Sequence, residues 1–216
     1  MQLTTSSWWW WSGSAAAGLV LGAAASGLTR QFLRHERTLA GTWWFGAILT
    51  AAVLGLLSWR VGARGELAVY GFVAVLAVPL AIIDWCEHRL PRALMWPQLA
   101  GAVLGFVVLC LVSHDPAPGV RALAALVAAG GLFLILAVAT GGGVGAGDVS
   151  VAAVVGLATG WIGWAQVVGA LLTASLLALV MVTAPGVRRR DDDGALVVPF
   201  GPCLLAGALI TALANG

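Results

Sequence analysis

Eight apolar stretches parted by short polar breaks run along this chain, near residues 8–28, 43–59, 67–84, 95–113, 121–140, 147–162, 164–184 and 196–214. A helix needs roughly 20 apolar residues to cross a bilayer, and most of these stretches come close. The sixth is the weakest, being short and rich in glycine. The pattern predicts an all-α, polytopic membrane helix bundle of about eight transmembrane helices. Trp8–Trp11 and the pair Trp43–Trp44 fall where aromatic anchors meet the membrane interface.

Composition agrees with that pattern. The chain is 61% hydrophobic and only 9% charged, with a mean hydropathy of +0.98. A soluble domain carries about a quarter charged residues, so the solvent expected here is lipid. The first stretch lacks a basic start and further spans follow it, which reads as a retained helix and not a cleavable signal peptide. A net charge of +2 gives no support to a nucleic-acid partner. Cys86, Cys110 and Cys203 form no CxxC pair and read as small side chains within or beside apolar runs. Neither a metal nor a cofactor is expected.

All basic residues are arginines, and their placement orients the bundle. With the N-terminus outside, the inside loops hold Arg30, Arg34, Arg37, Arg89, Arg92, Arg188, Arg189 and Arg190. The outside loops hold Arg60, Arg64 and Arg121. That excess follows the positive-inside rule and supports the count of eight helices, since losing one span would scramble the pattern.

The acidic residues divide into two groups. Glu36, Glu66, Asp115 and Asp191–Asp193 lie in polar loops or a solvated charge run, whereas Asp84, Glu87 and Asp148 lie at or near helix ends. Asp84 closes the third predicted helix and Asp148 opens the sixth, so two spans separate them and both reach the inside face. A carboxylate at that depth costs a few kcal/mol and usually faces protein or a wet cavity. Each could equally serve only to cap or bound its helix. The glycines Gly141, Gly142, Gly143, Gly145 and Gly147 precede Asp148. Irregular backbone at membrane depth survives only where it is buried in protein or lines a cavity, although a flexible loop or a tight helix crossing would use glycine too.

Three stretches resemble one family, the type IV prepilin peptidases, which are membrane aspartic proteases of the GxGD class. DWCEHRLPRALMWP is similar to the first-aspartate motif, with Asp84 followed by Leu90–Pro91, Leu94 and Pro97. GAGDVSVAAVVGLATGW matches GxGD at Gly145, Gly147 and Asp148, then the following helix at Gly156, Gly160 and Trp161. PFGPCLLAG, carrying Pro199 and Gly201, is similar to the motif that opens the last helix. The resemblance covers a six-helix catalytic core over 65–216 and leaves 1–64 as two additional helices with a basic inside loop.

The resemblance implies that Asp84 and Asp148 are the catalytic pair, at the cytoplasmic face of a prokaryotic inner membrane. The implied partner is a prepilin-like, single-span membrane substrate with a basic leader, delivered through the lipid bilayer. Gly145, Gly147, Glu87, Pro91, Pro199 and Gly201 are then expected to contact substrate or shape the cavity, with His88 a neighbour that could tune the pair. The chain departs from the family pattern in two places. Ser150 stands where many members carry lysine, and Arg92 where an acidic or amide residue is common. A methyltransferase-associated region with paired CxxC motifs is missing, so cleavage without N-methylation is expected. A second reading keeps Asp84 and Asp148 as intramembrane polar sites of a non-enzymatic transport or pilus-assembly protein. A presenilin-type protease fits less well, because Ile83 precedes Asp84 where that group has tyrosine.

Overall fold

Lipid offers no partner to a backbone N–H or C=O, so a chain this apolar satisfies those groups inside helices. The computed structural model describes residues 7–32, 42–87, 89–141, 145–183, 189–190, 196–197 and 199–214. Among them are eight helices: α1 (Ser7–Phe32), α2 (Trp43–Val61), α3 (Glu66–Glu87), α4 (Arg92–Ser113), α5 (Ala117–Ala139), α6 (Ala146–Ile162), α7 (Trp164–Thr183) and α8 (Phe200–Ala214). Six are long and apolar enough to cross a membrane, while α6 and α8 are shorter apolar helices. The described residues are all-α apart from a two-residue antiparallel pairing of β1 (Arg189–Arg190) with β2 (Leu196–Val197). Contacts divide the chain into two compact units, with the border between Gly119 and Val120.

In the first unit, α1 packs on α2 and α3, and α3 packs on α2 and α4. The α1–α2 seam is made of small residues. A Cβ on Gly18 would lie 2.7 Å from the Ala51 Cα, and one on Gly22 would lie 2.8 Å from the Ala47 Cα. Ser26 closes the seam by donating to the carbonyls of Gly22 and Trp43 at 2.7 and 3.0 Å. Gly101 and Gly105 of α4 similarly receive the Phe72 ring and the Val69 side chain of α3.

The second unit repeats the device. Gly156 of α6 lies against the Ala125 carbonyl and Ala129, and Gly160 against Ala122 and Ala125, so α5 and α6 meet backbone to backbone. On α7, Ala170 and Ala174 face Gly207 of α8, and a Cβ there would sit 2.9 Å from the Ala174 nitrogen. In each of these seams the rising numbers of one helix meet the falling numbers of its partner, so the two helices of each pair are antiparallel. Small-residue seams of this kind suit membrane helices, whose association gains from close packing and not from removing apolar surface from water. Long apolar side chains such as Leu111, Val127, Leu172 and Leu179 point outward.

The eight predicted stretches all appear as helices, with shifted ends. α3 runs on to Glu87, so Asp84 lies within its last turn instead of closing it. α8 starts at Phe200 instead of 196, because Leu196–Val197 pair as β2. α5 starts four residues early, after the Asp115 carboxylate accepts the Ala117 N–H at 3.0 Å. Arg121 is therefore on a helix, and not in an outside loop. Arg60 likewise falls in the last turn of α2. Trp43 and Trp44 are exposed at the start of α2. The side chains of Trp8–Trp11, and Arg34, Arg37, Arg188 and Asp191–Asp193, lie outside the described residues.

The seams yield a prediction. Gly156→Ala should destabilise the protein by about 1–3 kcal/mol through overpacking. Gly131→Ala, where an added Cβ would meet nothing within 4 Å, should be neutral or slightly stabilising. Thermal unfolding of both in one detergent tests this, and equal melting points would contradict the seam.

Candidate active site

The α3–α4 end of the first unit is apolar beneath and polar at its tip. Leu80 and Ile83 of α3 pack with Leu94 and Met95 of α4, and Phe32, Leu76 and Leu90 close around them. Asp84 follows directly and is 6% exposed, an unusual state for a carboxylate. Glu87, three residues on, ends the helix and is half-buried. Pro91 takes an extended conformation before α4, and its carbonyl accepts the N–H groups of Leu94 and Met95 at 3.0 and 3.2 Å. Asp84, Glu87 and Pro91 therefore share one end of one hairpin.

That hairpin is braced by a residue that the motifs did not mark. Pro79 lies inside α3 and has no N–H to give the carbonyl four residues earlier. Nearby, Gln98 of α4, only 1% exposed, donates its Nε2 to the Val73 carbonyl at 2.9 Å. The single amide within an apolar run was the available signal. Its partner was not legible, because the bond joins residues 25 apart.

In the second unit, Gly145 precedes α6 with φ −69° and ψ 146°, values open to any residue. Its carbonyl accepts the Asp148 N–H at 3.0 Å. A Cβ on Gly145 would meet the Asp148 Oδ2 at 3.5 Å, an ordinary contact, so the carboxylate lies directly beside Gly145. The carboxylate is thus turned back toward the start of its own helix, where the helix dipole favours negative charge. Gly147 and Asp148 are both half-buried in the first turn. Gly141, just past α5, has φ +61°, a left-handed conformation suited to glycine. Ser150 directs its hydroxyl to the Ala146 carbonyl at 3.3 Å. Gly142, Gly143 and His88 lie outside the described residues.

Pro199 and Gly201 are buried at the head of α8, and the Phe200 ring lies 5.5 Å from that of Phe133 on α5. The Cys203 thiol sits 3.6 Å from the Met181 sulfur. α6 packs on α8, and the starts of both lie at one end of the unit, since Phe200 meets Phe133 of α5 and Gly130, three residues earlier, lies against Ala153 of α6. Gly145, Gly147 and Asp148 therefore share that end with Pro199 and Gly201. Among the described residues, no group of three or more His, Cys, Asp or Glu could hold a metal ion.

The model of the type IV leader peptidase family matches residues 71–183, more than half of the chain. The chain belongs to the type IV leader peptidase family. No curated protein and no solved structure matches it. The leader peptidase match begins within α3 and ends with α7, so it takes in Asp84, Glu87, Pro91, Gly145, Gly147 and Asp148. It leaves out α1, α2 and α8. This agrees with the resemblance read from the motifs, and with a multi-pass membrane protein of peptidase type.

Gln98→Ala should destabilise this leader peptidase by about 1–3 kcal/mol, through the lost hydrogen bond and the cavity left behind. An unchanged melting temperature in detergent would show that the bond to Val73 does not brace α3.

Proposed function

We propose that the protein is a membrane aspartic endopeptidase that removes the basic leader from prepilin-like, single-span substrates at the cytoplasmic face. The observation that carries this reading is a carboxylate, Asp84, buried in the last turn of an apolar helix inside the region that matches the leader peptidase family. Asp148 supports it from the first turn of α6, half-buried and with its carboxylate beside Gly145. Two helices, α4 and α5, separate the aspartates along the chain. If each crosses the membrane, both carboxylates return to one face. The arginine excess supports the cytoplasm as that face.

In this mechanism the two carboxylates share one proton. The ionised one takes a proton from a bound water as its oxygen attacks the scissile carbonyl, and the protonated one gives its proton to the carbonyl oxygen. The tetrahedral intermediate then collapses. The C–N bond breaks, and the leaving amine takes a proton back from the carboxyl group that had gained it. Glu87, half-buried at the tip of α3, offers the substrate's basic leader a carboxylate near Asp84. Pro91, Gly147, Pro199 and Gly201 shape the helix ends along which an extended segment would lie. The additional helices α1 and α2 lie outside the matched region, and we assign them no catalytic group.

Asp84→Asn and Asp148→Asn should each reduce cleavage by about 10²–10⁴-fold or more while leaving insertion and melting temperature near wild type. Co-expression with a candidate pilin precursor, followed by its size on a gel, provides the test. Processing at the normal rate by either variant would rule out the aspartic mechanism.

A further inference from the structure

The C-terminal end of α6 is closed with unusual completeness. A helix leaves its last four carbonyls without intrahelical partners. In α6 these belong to Thr159, Gly160, Trp161 and Ile162. The N–H of Gly163 takes the first at 3.0 Å. Arg121 of α5 takes the other three: its Nε donates to Gly160 at 2.7 Å, and its Nη2 donates to Trp161 and, at 3.2 Å, to Ile162. A guanidinium suits this task, since it presents several donors in a rigid fork and its charge meets the negative end of the helix dipole. Gly160 admits α5 at the same point, because a Cβ there would run into Ala122 and Ala125.

We propose that Arg121 is a positioning residue for Asp148: by clamping one end of α6, it sets the depth at which the other end holds the carboxylate. From Val151 to Leu157 every residue is buried, so the helix between the two ends is packed on all its faces. Such a helix moves as a rod, and a shift at its clamped end arrives at Asp148 about 20 Å away, at 1.5 Å per residue. The turn into α7 is a single residue, Gly163, and leaves no slack to absorb a shift. The catalytic part of the proposal rests on the reading of Asp148 given above. The mechanical part does not.

The test therefore has two readouts. Arg121→Ala and Arg121→Lys are compared with wild type for cleavage of a pilin precursor. They are then compared for the rate at which a thiol reagent labels Asp148→Cys, in a background with Cys86, Cys110 and Cys203 replaced by alanine. Thr140→Cys, exposed just past α5, serves as the labelling control. Arg121→Ala is expected to lower kcat by about 10²-fold per folded molecule, as a misplacement of about 1 Å does, with KM within about twofold. Labelling at 148 should change several-fold and labelling at 140 should not. Arg121→Lys should fall between, because one ammonium cannot meet three carbonyls in that geometry. Unchanged kcat and unchanged labelling, or a change confined to KM, would overturn the proposal. If Arg121→Ala fails to insert, Arg121→Lys decides by the same criteria. A labelling shift accompanied by an active Asp148→Asn would overturn the catalytic reading of Asp148 and support the clamp alone.

Discussion

Close approach of helix backbones across small side chains is the constraint on which this structure depends. Lipid tails are as apolar as leucine, so burying leucine between two membrane helices gains little over leaving it in lipid. Dispersion contacts make up the difference, and they need surfaces that fit. Gly18 and Gly22 against Ala47 and Ala51, Gly156 and Gly160 against Ala122, Ala125 and Ala129, and Gly207 against Ala170 and Ala174 are such surfaces. Many large side chains on α4, α5 and α7, such as Leu104, Leu111, Val127, Leu172 and Leu179, are left to face outward.

Tight seams make polar accounting strict. Ser26, Thr29, Thr50 and Thr159 are buried, and each hydroxyl donates to a carbonyl one turn back in its own helix, so it satisfies itself without opening the seam. Helix ends cannot be settled this way, because their carbonyls have lost their donors. Arg121 supplies that need at the end of α6, and Gly62 gives its N–H to Ser58 at the end of α2. Gln98 settles its own buried amide on the Val73 carbonyl of α3. Against this background a buried acid such as Asp84 stands out. The matched family gives it chemistry to do, and the packing of Leu80, Ile83, Leu94 and Met95 below it holds the turn that carries it.

The shortness of α6 has the same origin. Read by length, the stretch over 147–162 looked like a poor span, since glycine and alanine take up positions where leucine is expected. The structure shows those residues accepting neighbours: Ala152, Ala153, Gly156 and Gly160 are all buried. A helix enclosed by protein needs fit more than outward apolar length, and 17 residues suffice for it. Ser150 illustrates the local limit of motif reading. The motif shows only that lysine is missing, whereas the structure shows what the replacement does, donating to Ala146.

The sequence by itself determined the number of helices, their approximate limits, the membrane class and the family, because those depend on apolar run length and on short motifs, both local along the chain. Asp84, Asp148, Gly145 and Gly147 could be singled out for the same reason: an acid in an apolar run and glycines beside it are visible without neighbours. Helix ends were legible only to within a few residues, since Pro91, Asp115 and Pro199 act through backbone bonds and torsions that spacing does not show. Only the tertiary structure decided that Gln98 reaches Val73, that Arg121 closes α6, and which glycines are crossings and which face open space. Each of these is a contact between positions 20 or more residues apart. Side-chain direction and helix register fix such contacts, and both arise only when the helices pack.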